Sequence, residues 1–289
     1  MVGSVNNRRI IRTGCVIAGI ATIALGACST TIQLGNPGEE TGATAASPTN
    51  IASLTDVVQR NPSDPQAYNM RGSVLGQGGR YDDALSDFNK AISLDPNYAQ
   101  AYSNRGLVYR QTKQYDAALN DYNKALSIDA NYGPALLGRG LVHRQKGDML
   151  AALNDFNKAI QLLPNNAQAY YNRGLLYQNQ RQHQFAIDDF STAIGLSQQQ
   201  AEPYVARGLS YLAIKDNKAA AGDLDDAVQL EPQNLQAWVS RGLAYERLGE
   251  KERAAGSYAR ALNIRNDFEP AKQGFARVGG EFGKVYKTY

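Results

Sequence analysis

The chain of 289 residues has little of what catalysis and metal binding use. It holds two cysteines, Cys15 and Cys28, and two histidines, His143 and His183. The histidines have no third nitrogen or carboxylate at metal-ligand spacing. No GxSxG, HExxH or glycine-rich phosphate loop occurs. Acid pairs such as Asp82-Asp83, Asp188-Asp189 and Asp225-Asp226 stand at adjacent positions of helical segments, so their carboxylates point apart. Net charge is also scarce. There are 30 Lys and Arg against 27 Asp and Glu, and Arg8, Arg9 and Arg12 account for the excess. From residue 28 onward the balance is neutral, which leaves no excess of cations for a nucleic-acid backbone. These absences predict a protein that is not an enzyme, uses no cofactor or metal and binds no nucleic acid.

A run long enough to span a bilayer is absent too. The apolar stretch at 14–27, GCVIAGIATIALGA, falls short of the about 20 residues a membrane helix needs. Three arginines and no acid precede it, so it reads as the basic and apolar regions of a secretory signal over residues 1–27. Its end, Leu25-Gly26-Ala27-Cys28, resembles a bacterial lipobox, which implies cleavage before Cys28 and acylation of its thiol. One cysteine would then remain, too few for a disulfide framework or a cysteine-based zinc site. Several acyl chains on one residue meet the requirement for stable anchoring. Ser29 rather than Asp after the cysteine implies, by the same resemblance, the outer membrane and a periplasmic face. Arg8-Arg9 is a weaker match to a twin-arginine signal, because Arg12 stands where that motif wants an apolar residue. Residues 28–50 are rich in Ser, Thr, Gly, Ala and Pro and read as a flexible tether, with a span of roughly 25 Å.

The rest of the chain repeats itself every 34 residues without a gap, from Pro65, Ala99, Gly133, Ala167, Ala201 and Leu235. Position 8 of each unit is Gly, and positions 20 and 27 are Ala. Position 24 is Phe88, Tyr122, Phe156, Phe190, Leu224 and Tyr258, and position 4 is an aromatic residue in all units but the third, which has Leu136. Packing positions 4, 8 and 11, then 17, 20, 24, 27 and 28, step by three and four, which predicts two helices per unit, A and B. Turn residues break the period near positions 14–17, and Pro96, Pro164 and Pro232 at position 32 end helix B. Small residues let the helix axes approach and the large ones fill the space left. One hairpin cannot bury its own apolar face, so the units must stack.

This pattern resembles the tetratricopeptide repeat (TPR) over residues 65–268, about 70% of the chain. The resemblance implies an all-α fold, a right-handed superhelical solenoid of helix-turn-helix units. It places six TPR units at 65–268, a lone half-repeat helix at 51–64 with Leu54, Val57 and Pro62 in helix B register, and a capping helix and tail at 269–289. It further implies that helix A lines the concave groove. In the first four units those positions are Asn69, Ser73 and Gln77; Ser103, Leu107, Arg110 and Gln111; Leu137, Leu141, Arg144 and Gln145; and Tyr171, Leu175, Gln178 and Asn179. Amides and two arginines around leucines suit an extended or helical peptide with some acidic character.

Position 7 is Arg in every unit, and position 23 is Asp in all but the last, which has Ser257. A hairpin that turns near position 15 sets positions 7 and 23 opposite each other, and a buried guanidinium needs a carboxylate. The expected structural pairs are Arg71 with Asp87, Arg105 with Asp121, Arg139 with Asp155, Arg173 with Asp189 and Arg207 with Asp223. Pairing with the Asp of the previous unit stays open. The first scheme leaves Arg241 without its Asp, and the second leaves Arg71 without one.

The expectation for function is a non-enzymatic scaffold, lipid-anchored in the bacterial cell envelope, which holds an envelope protein or peptide in the groove. Known TPR lipoproteins of this layout include adaptors and pilotins. A self-associating structural protein, or a pilotin-like assembly factor, is the alternative.

Overall fold

The three-and-four spacing becomes helix throughout. The computed structural model describes residues 46–281 and 283–286, and every regular element in them is an α-helix. A single helix, α1 (Pro48–Arg60), precedes six hairpins. These pair α2 (Pro65–Gln77) with α3 (Tyr81–Leu94), α4 (Ala99–Gln111) with α5 (Tyr115–Ile128), and α6 (Gly133–Lys146) with α7 (Met149–Leu162). The remaining three join α8 (Ala167–Asn179) to α9 (His183–Leu196), α10 (Ala201–Ala213) to α11 (Asn217–Leu230), and α12 (Leu235–Leu248) to α13 (Lys251–Ile264). A last helix, α14 (Glu269–Arg277), covers the end. Each helix A packs against its own helix B and against the helix B before it, so the hairpins form one continuous stack.

The lone helix starts at Pro48, ahead of the expected residue 51. Ser47 caps it by accepting a hydrogen bond from the Asn50 amide at 3.3 Å, and Pro48 takes the first helical position, where a missing N–H costs nothing. Side-chain caps recur at Asp64, Asp148, Asn166, Asp216 and Asn234. At the far end, Tyr286 stands edge-on to Phe275 at 5.8 Å between centroids, so the last described residues fold back on α14.

Position 15 fixes the A–B turn. All six units put that residue in the left-handed region: Gly79, Lys113, Gly147, Arg181, Lys215 and Gly249, with φ between 60° and 83°. Three units thus hold a side chain where glycine would be unstrained. Inside each hairpin the alanines at positions 20 and 27 are fully buried, and the side chain at position 24 lies against the glycine at position 8. A Cβ on Gly174 would sit 2.7 Å from the Phe190 ring, and one on Gly242 would sit 2.6 Å from the Tyr258 ring. Each large residue buried there contributes about 1.5–3 kcal/mol relative to exposure.

Candidate functional site

The arginines at position 7 pair within their own unit. Arg71, Arg105, Arg139, Arg173 and Arg207 each grip their position-23 aspartate with two parallel bonds, from Nε and from a terminal nitrogen, at 2.7–2.9 Å. These bonds raise the arginine pKa values above the ordinary range. The third nitrogen reaches position 25 of the preceding unit. Arg105, Arg139 and Arg173 bind Asn89, Asn123 and Asn157, and Arg207 binds Ser191. The pair is therefore a staple within the hairpin and a tie to the hairpin before.

The exception in the last unit keeps the charge balance. Arg241 has Ser257 where the others have Asp, and position 25 of the previous unit is Asp225 instead of Asn or Ser. Arg241 Nε binds Asp225 Oδ1 at 2.6 Å, and its other arm binds Ser257 Oγ at 2.8 Å. Tyr245 also donates to Asp225 at 2.7 Å. None of the six arginines is thus left without a carboxylate.

The proposed groove positions on helix A divide into two groups. Asn69, Ser73 and Ser103 are buried, at 4% exposure or less, and do not line an open surface. Asn69 donates to the Tyr98 hydroxyl, and Asn104 donates to both Asn69 Oδ1 and Ser73 Oγ, which closes a polar seam between the first two units. Short polar side chains on a tightly packed helix face turn inward to a neighbour, which the face assignment alone did not anticipate. Gln178 is engaged in the same way, with Ala206 O at 2.8 Å and Ser210 Oγ at 2.9 Å. Leu137 is buried. Gln77, Leu107, Tyr171 and Leu175 are half-buried, and Asn179 is exposed.

The second group meets between units two and three. Arg110, Leu141, Arg144 and Gln145 surround a cavity of about 70 Å³, which Tyr115 closes from helix B. Gln111 follows Arg110 along the same helix. The Nε atoms of Arg110 and Arg144 and the Oε1 of Gln111 are buried without a hydrogen-bond partner. No carboxylate lies in ion-pair range of either arginine among the described residues. Burial lowers the Arg144 pKa from its ordinary value, Tyr171 opposes the shift, and the neighbouring Arg110 cation adds to it. Two guanidinium groups thus face one small cavity, and no carboxylate among the described residues pairs with them.

Position-only reasoning missed two residues here. Tyr115 lies at the start of helix B. Tyr122 comes from position 24 of the same repeat, and its buried hydroxyl has the Arg110 guanidinium beside it but no acceptor for its proton. Burial pushes its pKa up to about 12, with the nearby Arg110 guanidinium acting against the rise. A sequence signal for Tyr122 did exist. Helix A of the following unit carries Gly138 at position 6, and a Cβ there would lie 2.4 Å from the Tyr122 ring.

The two histidines stand apart from this cavity and from each other. His143 is partly exposed, 3.7 Å from Asp148, and His183 lies at the start of α9. Among the described residues no three His, Cys, Asp or Glu side chains come together as a metal site. No described helix is long and apolar enough to cross a membrane. The expected acylation site, Cys28, lies outside the described residues.

Three family models match the chain, with the descriptions TPR repeat at 72–113 and 140–180, and tetratricopeptide repeat at 99–132, 167–199 and 205–270. Together they cover more than half of it. No curated protein matches the chain at a significant level. Among solved structures, the APC/C hetero-tetramer Cut9-Hcn1 superposes with a TM-score of 0.66 at 19% identity, over 82% of this chain and 48% of that one. The present chain thus spans about half the length of that relative. PilF of Pseudomonas aeruginosa gives a TM-score of 0.68 at 19% identity, over 76% of this chain and 99% of that one. YrrB, a TPR protein with an unusual peptide-binding site, gives 0.51 at 24% identity, over 64% and 95%. At these identities the likeness speaks to the fold, an α-solenoid of stacked helical hairpins.

Proposed function

Since this chain belongs to the tetratricopeptide repeat family, whose members mediate protein–protein interactions, we propose that it is a non-enzymatic adaptor of the bacterial cell envelope. Its helix A groove across units two to four holds a peptide or protein segment. Acylated Cys28 and the tether through residue 50 or so keep the array at the outer membrane, on the periplasmic side.

One observation carries the groove reading. The position-7 arginines are fully engaged inside the fold, whereas the cavity at Arg110 and Arg144 is lined by two cations whose buried Nε atoms find no acceptor among the described residues. Buried donors without acceptors cost stability, and an acceptor brought by a partner would offset that cost here. Leu141 and Tyr115 line the cavity with them, and Tyr171 stands near Arg144. YrrB has a peptide-binding site on a similar fold, which agrees with this use of the surface.

The anchor is tested by labelling cells with an alkyne palmitate analogue and fractionating them. Wild-type chain is expected to carry the label and to sediment with outer membranes. The Cys28→Ala variant is expected to lose the label. An unlabelled wild-type chain would remove the lipoprotein part of the reading and leave the groove part standing.

A further inference from the structure

The last repeat shows what belongs beside a tyrosine at position 24. Tyr258 stands there, with Gly274 at position 6 of the next helix, and a Cβ on that glycine would meet the ring at 2.3 Å. Its hydroxyl donates to Glu246 Oε2 at 2.6 Å, and Glu246 is position 12 of the same repeat. Arg277 then binds both carboxylate oxygens, at 2.7 and 3.0 Å. Carboxylate, phenol and guanidinium are all satisfied.

The second repeat builds the same frame and reverses its charge. Tyr122 stands at position 24 against Gly138, as Tyr258 stands against Gly274. Position 12, however, is Arg110 in place of a glutamate, and a guanidinium cannot accept the tyrosine proton. The Tyr122 hydroxyl lies beside the Arg110 guanidinium, which can only donate to it, so its own proton finds no acceptor among the described residues. Arg144, at position 12 of the third repeat, adds a second cation to the same cavity. The frame keeps its donors and lacks its acceptor.

We propose that Arg110 and Arg144, with the Tyr122 hydroxyl beside Arg110, form a seat for one side-chain carboxylate of an acidic segment in a partner protein. That carboxylate takes the part that Glu246 plays in the last repeat. It accepts from both guanidinium groups and offsets their mutual repulsion, and charge-assisted bonds of this kind are the stronger class. Gln145 lines the cavity and can meet the backbone of the segment, and Leu141 and Tyr115 complete the wall. The proposal rests on the groove reading above and names the chemistry the groove selects.

The test is selection of a random ten-residue peptide library on the full chain, followed by affinity measurement of the winners and their Glu→Gln or Asp→Asn twins. The expected winners carry an acidic residue at one fixed position, and its amide twin binds at least about tenfold more weakly. In the double variant Arg110→Gln/Arg144→Gln, shown to be folded by an unchanged helical signal and melting profile, acid and amide peptides are expected to bind equally. Winners with no fixed acid, or an acid preference that survives in the double variant, would overturn the seat and leave the groove intact. A selection with no winners at all would overturn the groove reading as well.

Discussion

At the scale of single residues, the chain separates two kinds of arginine that look alike in composition. Those at position 7 are structural. Their carboxylates are nearly buried, so removal of one partner strands the other. Asp121→Ala is expected to destabilise the fold by about 3 kcal/mol, and the double change Arg105→Met/Asp121→Leu by clearly less, because no buried charge is then unpaired. Urea denaturation followed by circular dichroism checks both. Equal losses in the single and double variants would contradict the staple. The residues behind this pairing were legible in the sequence as a period, and hairpin symmetry pointed to partners within a unit. The rescue of Arg241 by Asp225 was not, because it needs the contact between consecutive units that only packing supplies.

The groove arginines belong to the other kind, and sequence reading caught them only in part. Arg110 and Arg144 could be placed on helix A by counting. Whether a side chain at such a position faces solvent or the neighbouring hairpin depends on its length and on what stands opposite. Asn69 and Ser73 are short, and Asn104 stands across from them, so they turn inward. Arg110 and Arg144 have no acid in ion-pair range among the described residues and line the cavity.

At the scale of the helical element, the 34-residue period made the helices visible, and their ends less so. The early start of α1 follows from Ser47 and Pro48, which a composition-based boundary absorbed into the tether. The turn residue at position 15 was hidden for a related reason. Gly79, Gly147 and Gly249 advertise a left-handed turn, whereas Lys113, Arg181 and Lys215 adopt the same φ without any sign in their chemistry. The strain at those three positions is measurable. Lys113→Gly, Arg181→Gly and Lys215→Gly are each expected to raise stability by about 1 kcal/mol, the left-handed penalty less the added entropy loss of glycine. Thermal unfolding checks this. A lowered midpoint in all three would mean that the side chains contribute contacts larger than the strain.

At the scale of the whole molecule, an open stack exposes apolar faces at both ends, and this chain closes them differently. α1 covers the first hairpin with a helix B alone, and α14 covers the last with a helix A alone. The Glu246 carboxylate, held below its ordinary pKa by Arg277, ties the second cover to the array. With both ends covered, the proposed partner is held along the helix A surface, and the pair at Arg110 and Arg144 is the feature that the proposal puts at its centre.

That central claim is tested most directly by placing a photo-crosslinking amino acid at Gln145, beside the cavity, and at Lys124, exposed on helix B of the second repeat, in living cells. The account predicts a discrete adduct from Gln145, none from Lys124, and loss of the Gln145 adduct when Arg110 and Arg144 are both changed to Gln. Adducts from Lys124 alone, or from neither position, would contradict it.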